Sequence, residues 1–119
     1  FKEEISTSSF FAHLKKQFNL SVIRHTHIHK QKIRRIAVCG GSGSFLLGRA
    51  KAVGADIFIT GDFKYHEFFD AENQIIIADI GHYESEVATK ELIYEFLKEK
   101  FANIAVNLSK VDTNPIKYA

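Results

Sequence analysis

The chain has no methionine, one cysteine and one proline among its 119 residues. A single cysteine excludes an internal disulfide framework and fits a reducing compartment. No apolar run approaches the roughly 20 residues that a bilayer-spanning helix requires, and Phe1-Lys2-Glu3-Glu4 lacks the pattern of a signal peptide, so the expectation is a soluble cytoplasmic protein with no membrane partner. Charge of one sign is missing too. The 16 basic and 14 acidic residues are interspersed and sum to +2, which offers no long-range field for nucleic acid. The absent methionine, with Phe1 in first place, leads us to expect a piece of a longer protein.

What the chain does hold is apolar residues, 45% of the total with 11 phenylalanines, enough for a core in one domain. Phe10, Phe11, Leu14 and Phe18 recur at helical spacing, with Ser6 to Ser9 available to cap the start and Asn19 to close it. Leu20 to Lys30 reads as extended, and the alternation His25-Thr26-His27-Ile28-His29 would put three histidines on one strand face. Ile36 to Cys39 reads as a buried strand running into Gly40-Gly41-Ser42-Gly43-Ser44, followed by a helix through Val53. Asp56 to Thr60 repeats the strand, with Gly61-Asp62 and a segment from Phe63 to Ala71 behind it. Gln74 to Ala78 is a third strand, Tyr83 to Phe101 a long amphipathic helix, and Ile104 to Leu108 a fourth strand before an irregular tail at Asn114-Pro115. Apolar strands alternating with helical segments imply an α/β fold with a largely parallel sheet and flanking helices. In such a sheet the loops beyond the strand carboxyl ends form the ligand crevice, so Gly40–Ser44, Thr60–Asp62 and Asp79–Glu86 should meet on one edge.

His82 and Glu86, four residues apart, project from one face if both are helical. Imidazole nitrogen with carboxylate oxygen suits zinc, iron, manganese or nickel; a capping carboxylate beside a surface histidine has the same spacing. Two ligands are too few for a complete site. His66 could line the crevice or be a structural histidine, and Asp62 stands nearby. Asp79, at a strand end, is placed either to orient His82 or to bond turn amides. Gly40, Gly41, Ser42 and Gly43 could cradle a phosphate, but they match neither GxxxxGK[ST] nor GxGxxG, and close packing of strand on helix is the plainer role. Cys39 reads as a small buried hydrophobe. His25, His27 and His29 could in principle hold a metal, but Arg24, Lys30 and Lys32 oppose a cation there, and a solvated edge strand is the alternative.

Three motifs in order, Ile36-Ala37-Val38-Cys39-Gly40-Gly41-Ser42-Gly43-Ser44, Gly54-Ala55-Asp56 through Ile59-Thr60-Gly61-Asp62-Phe63-Lys64-Tyr65-His66, and Asp79-Ile80-Gly81-His82-Tyr83-Glu84-Ser85-Glu86, closely resemble the carboxyl-terminal half of the GTP cyclohydrolase 1 type 2 homologue family, also called interacting-factor-three-like. The similarity spans roughly Leu20 to Pro115. On this reading residues 1–119 are a single domain, the carboxyl-terminal lobe of a longer protein, with a leading helix over 1–19 and the family-like lobe over 20–119. The resemblance implies one half of a two-lobed fold with two divalent transition metal ions in the cleft, assembled as a hexameric ring. It implies His82 and Glu86 as metal ligands, the glutamate approaching both ions. The remaining ligands, two adjacent histidines and an aspartate, would belong to the other half, since this chain has no adjacent histidine pair. A metal-dependent hydrolase acting on a nucleotide or related phosphate compound follows as one expectation, and a non-catalytic metal-binding or interaction module as the other.

Overall fold

The computed structural model describes residues 2–119. Its centre is a four-stranded sheet in the order β2-β6-β5-β4, where β2 is Arg24–His25, β4 Ile36–Ser42, β5 Ile57–Gly61 and β6 Ile76–Asp79. β4, β5 and β6 run parallel, and β2 is antiparallel on the β6 edge. The register sets Val38 beside Ile59 and Ile59 beside Ala78. A second, two-stranded antiparallel sheet pairs β1, Ile5–Ser6, with β3, Lys32–Ile33.

Alternation along the strands sorts the core onto two faces, as a pleat requires. Ile57, Ile59, Ile76, Ala78 and Ile80 meet Phe10 and Leu14 of α1, Thr7–Gln17. Phe58, Ile75 and Ile77 meet Leu47 and Ala50 of α2, Leu47–Ala52, together with Phe63. Phe58 is 1% exposed and Ile57, Ile76 and Ile77 are fully buried, each contributing about 1.5–3 kcal/mol by its removal from water. Ser6 caps α1 through its side chain, which accepts from the Ser9 amide, and Asn19 leaves the helix at φ 52°, a conformation that asparagine tolerates better than most residues.

Four expectations need correction. Ile104 to Leu108 forms no strand: the segment follows α4 without pairing to the sheet, and Ile104 is exposed. β4 is an edge strand rather than a buried one, with Val38 67% exposed. The long helix from Tyr83 divides into α3, His82–Glu86, and α4, Thr89–Lys100. α3 packs against β4 and β5, whereas α4 has no buried residue. The three histidines do not form a shared array. His25 stacks on Phe11 at 5.0 Å between ring centroids, His27 lies beyond the end of β2, and both ring nitrogens of His29 are enclosed without a hydrogen-bond partner. No helix among the described residues is long and apolar enough to cross a membrane.

Candidate functional site

The carboxyl ends of β4, β5 and β6 bring three loops into contact. Thr60 Oγ1 donates to the Gly41 carbonyl at 3.0 Å, the Ile80 amide donates to the Thr60 carbonyl at 2.9 Å, and the Gly41 amide donates to Ser85 Oγ at 2.8 Å. Ser85 Oγ in turn donates to the His82 carbonyl at 2.8 Å, so one hydroxyl ties the glycine loop to α3. Two glycines make this approach feasible. A Cβ on Gly61 would sit 2.7 Å from the His82 amide nitrogen, and one on Gly41, which holds φ +64°, would sit 2.5 Å from Glu86 Oε1. At Gly61 the neighbour is backbone that cannot give way, and at Gly41 the positive φ is what disfavours a side chain, so close packing and turn geometry account for these two glycines.

At the meeting point His82 lies between two carboxylates. Its Nδ1 is 2.6 Å from Asp62 Oδ2 and its Nε2 is 3.2 Å from Glu86 Oε2. All three side chains are about half exposed and face a cleft of about 910 Å³, whose far wall is formed by the start of α4 and the tail from Ser109 to Ile116. The pKa of His82 is raised above its ordinary 6.5. The hydrogen bond to Asp62 is the chief cause, slight desolvation works the other way, and the charges of Asp62 and Glu86 add to the rise.

Asp79 takes the turn-bonding role. Buried, it accepts from the Phe63 amide at 3.0 Å, the Gly81 amide at 3.0 Å and Arg24 Nη1 at 3.1 Å. It thereby sets the loops after β5 and β6 rather than touching His82. Arg24 completes this joint by donating to the Phe63 carbonyl at 2.7 Å and lying over the Phe68 ring. His66 sits outside the cleft, exposed on the 3₁₀ segment Tyr65–Ala71 with its ring edge-on to Tyr65. Gly40 and Gly41 border α3 while Gly43 packs on Thr60 and Cys39, and the loop is joined to that 3₁₀ segment where Ser44 Oγ donates to Glu67 Oε1 at 3.0 Å. Cys39, partly exposed on the edge strand, contacts the Gly40 carbonyl. Sequence reasoning missed the roles of Ser85 and Arg24. A serine three residues after His82 was the available signal for the first; an arginine 55 residues before Asp79 carried none.

The donor chemistry fits a divalent transition metal in part. Two ligands about 2.1 Å from one ion at roughly right angles lie about 3 Å apart, and Nε2 and Oε2 stand at 3.2 Å. Among the described residues, however, no group of three or more His, Cys, Asp or Glu side chains could hold an ion unaided.

Residues 1–115 match the family described as Duf34/NIF3 (NGG1p interacting factor 3). A GTP cyclohydrolase 1 type 2 homolog of Staphylococcus epidermidis is 36% identical over 121 residues, covering 98% of this chain and 33% of the relative. The protein of that name from Campylobacter jejuni is 40% identical over 106 residues, covering 88% and 42%. Among solved structures, a hypothetical protein of Staphylococcus aureus superposes with a TM-score of 0.89 at 35% identity, covering all of this chain and 41% of that one. A Bacillus cereus protein related to NIF3 gives 0.79 at 28% identity, covering all of this chain and 34% of that one. The chain thus spans about a third to two-fifths of the length of these relatives.

Proposed function

From the premise that the chain belongs to the Duf34/NIF3 family, we propose that it is the carboxyl-terminal lobe of a dinuclear metal-dependent hydrolase acting on a nucleotide or related phosphate compound, assembled as a homo-oligomeric ring. The observation that carries this reading is the placement of His82 and Glu86, 3.2 Å apart, at the junction of three strand-end loops on an open cleft. His82 Nε2 and the Glu86 carboxylate would hold metal, and the rest of the ligand set would come from outside the described residues. Bound there, a divalent pair would supply Lewis-acid activation of water and charge stabilisation at a phosphate. This chain's own residues orient and enclose: Asp62 engages the far nitrogen of His82, Ser85 and Gly41 lock α3 against β4, and the tail narrows the cleft. Lys90 at the cleft wall is a cation available to an anionic substrate.

The experiment is to incubate the metal-loaded and metal-stripped full-length protein with a panel of nucleoside mono-, di- and triphosphates and follow product by chromatography. Turnover that requires metal supports the reading, and none above a stoichiometric background overturns it. One observation favours a second reading, a non-catalytic interaction module: Leu92, Ile93 and Phe96 leave α4 with an unpartnered apolar face. Absence of turnover with every nucleotide, together with retained metal, would select it.

A further inference from the structure

We infer that Asp62 is a positioning residue for His82: it holds the neutral imidazole as the Nδ1–H tautomer and turns the Nε2 lone pair into the cleft beside Glu86. This rests on the metal-ligand reading of His82 and Glu86 for its purpose, but not for its geometry.

A neutral imidazole carries one N–H, and here two carboxylates flank the ring. If Nε2 held the proton, the Nδ1 lone pair would face Asp62 Oδ2 at 2.6 Å, two acceptors with no proton between them at a separation shorter than an ordinary N–H···O bond. With the proton on Nδ1, the close contact becomes a charge-assisted bond, and the unfavourable pair is the longer one, Nε2 to Glu86 Oε2 at 3.2 Å. A second proton on Nε2, or a metal ion in its place, relieves that contact. With Asp62 holding the Nδ1 proton, Nε2 is the nitrogen left for a metal. The backbone agrees: Asp62 holds φ +60° at the end of β5, a conformation adopted by few residues other than glycine, asparagine and aspartate. Glycine or asparagine would suit that φ equally. Aspartate adds a carboxylate, and that carboxylate reaches His82.

The test uses full-length protein labelled with ¹⁵N-histidine, stripped of metal, at a pH above the raised pKa of His82, read from its own titration, so that the ring is neutral. Two-bond ¹H–¹⁵N correlation spectra should report His82 as the Nδ1–H tautomer. Asp62→Ala should shift the population toward Nε2–H and weaken zinc or manganese binding by roughly 10–100-fold, with far-UV circular dichroism unchanged. Asp62→Asn tolerates the same φ, so it covers the case in which Asp62→Ala fails to fold; its amide oxygen still accepts, and it should retain part of the tautomer preference and lie between the other two in metal affinity. An Nε2–H tautomer in the wild type, or the same tautomer and affinity in both variants, overturns the proposal. The tautomer is read without metal, so this failure is distinct from failure of the metal-ligand reading, which shows instead as full metal retention by Glu86→Gln.

Discussion

The middle of this chain and the stretch beyond Ala88 contain similar proportions of apolar residues and treat them differently. Around β5 and β6, Ile57 to Ile59 and Ile75 to Ile80 are buried against α1 on one face and α2 on the other. Beyond Ala88 the same residue types stay in solvent: Leu92 is 71% exposed, and Phe96, Phe101, Ile104 and Val111 are exposed as well. What separates the two regions is whether a second apolar surface exists within the chain to receive the first. Helical periodicity is present in α4, but most helical stability comes from packing of the apolar face, and α4 has no surface to pack on here.

The largest expected effect tests the buried side of that contrast. Ile77→Ala removes a fully buried side chain from the sheet and should cost about 2–5 kcal/mol in denaturant unfolding; a cost below about 1 kcal/mol would mean the centre is not close-packed. Next, Asp79→Ala leaves the Phe63 and Gly81 amides without their acceptor and Arg24 without its counter-charge. It should cost about 2–4 kcal/mol and speed the amide exchange of the loops after β5 and β6 more than that of α1 or α2. Gly41→Ala should cost about 1–2 kcal/mol through its positive φ and also displace Glu86, so metal affinity falls with stability. A variant that loses stability but keeps its affinity would separate the glycine loop from the site.

How far these features are visible in the residue string follows the same division. The helix from Thr7, the three parallel strands and the meeting of the three loops are legible, because strand, glycine and helix signals agree locally and each apolar face finds a partner. His82, Glu86 and Asp62 come together as their positions after β5 and β6 imply. The strand expected at Ile104 to Leu108 does not form although β4 leaves one edge of the sheet open; an apolar run signals a strand but not whether the chain brings it to a sheet edge. The burial of β4 is misread for the same reason, since an edge strand and a central one share the pattern Ile-Ala-Val-Cys. Ser85 and Arg24 act through distant partners that sequence spacing does not encode.

Two smaller effects sharpen the comparison. The pKa of His82 is raised above 6.5, so its ion pairing contributes stability that is fully present below the unfolded value and lost as pH rises through the folded one. A metal must displace that proton, so affinity should fall as pH drops through the raised pKa; affinity flat from pH 8 down to pH 6, roughly the span in which an unperturbed or raised histidine titrates, would exclude His82 as a ligand. Smallest of all, Leu92→Ala on the exposed face of α4 should change stability by no more than about 0.5 kcal/mol. A loss comparable to that of Ile77→Ala would mean that another part of the protein, or another copy, covers this face.

His82 and Glu86 as one side of a metal centre are tested most directly by elemental analysis of the full-length protein carrying Glu86→Gln. The expected result is a folded protein that has lost most of its bound transition metal. Metal content equal to that of the wild type would contradict the assignment.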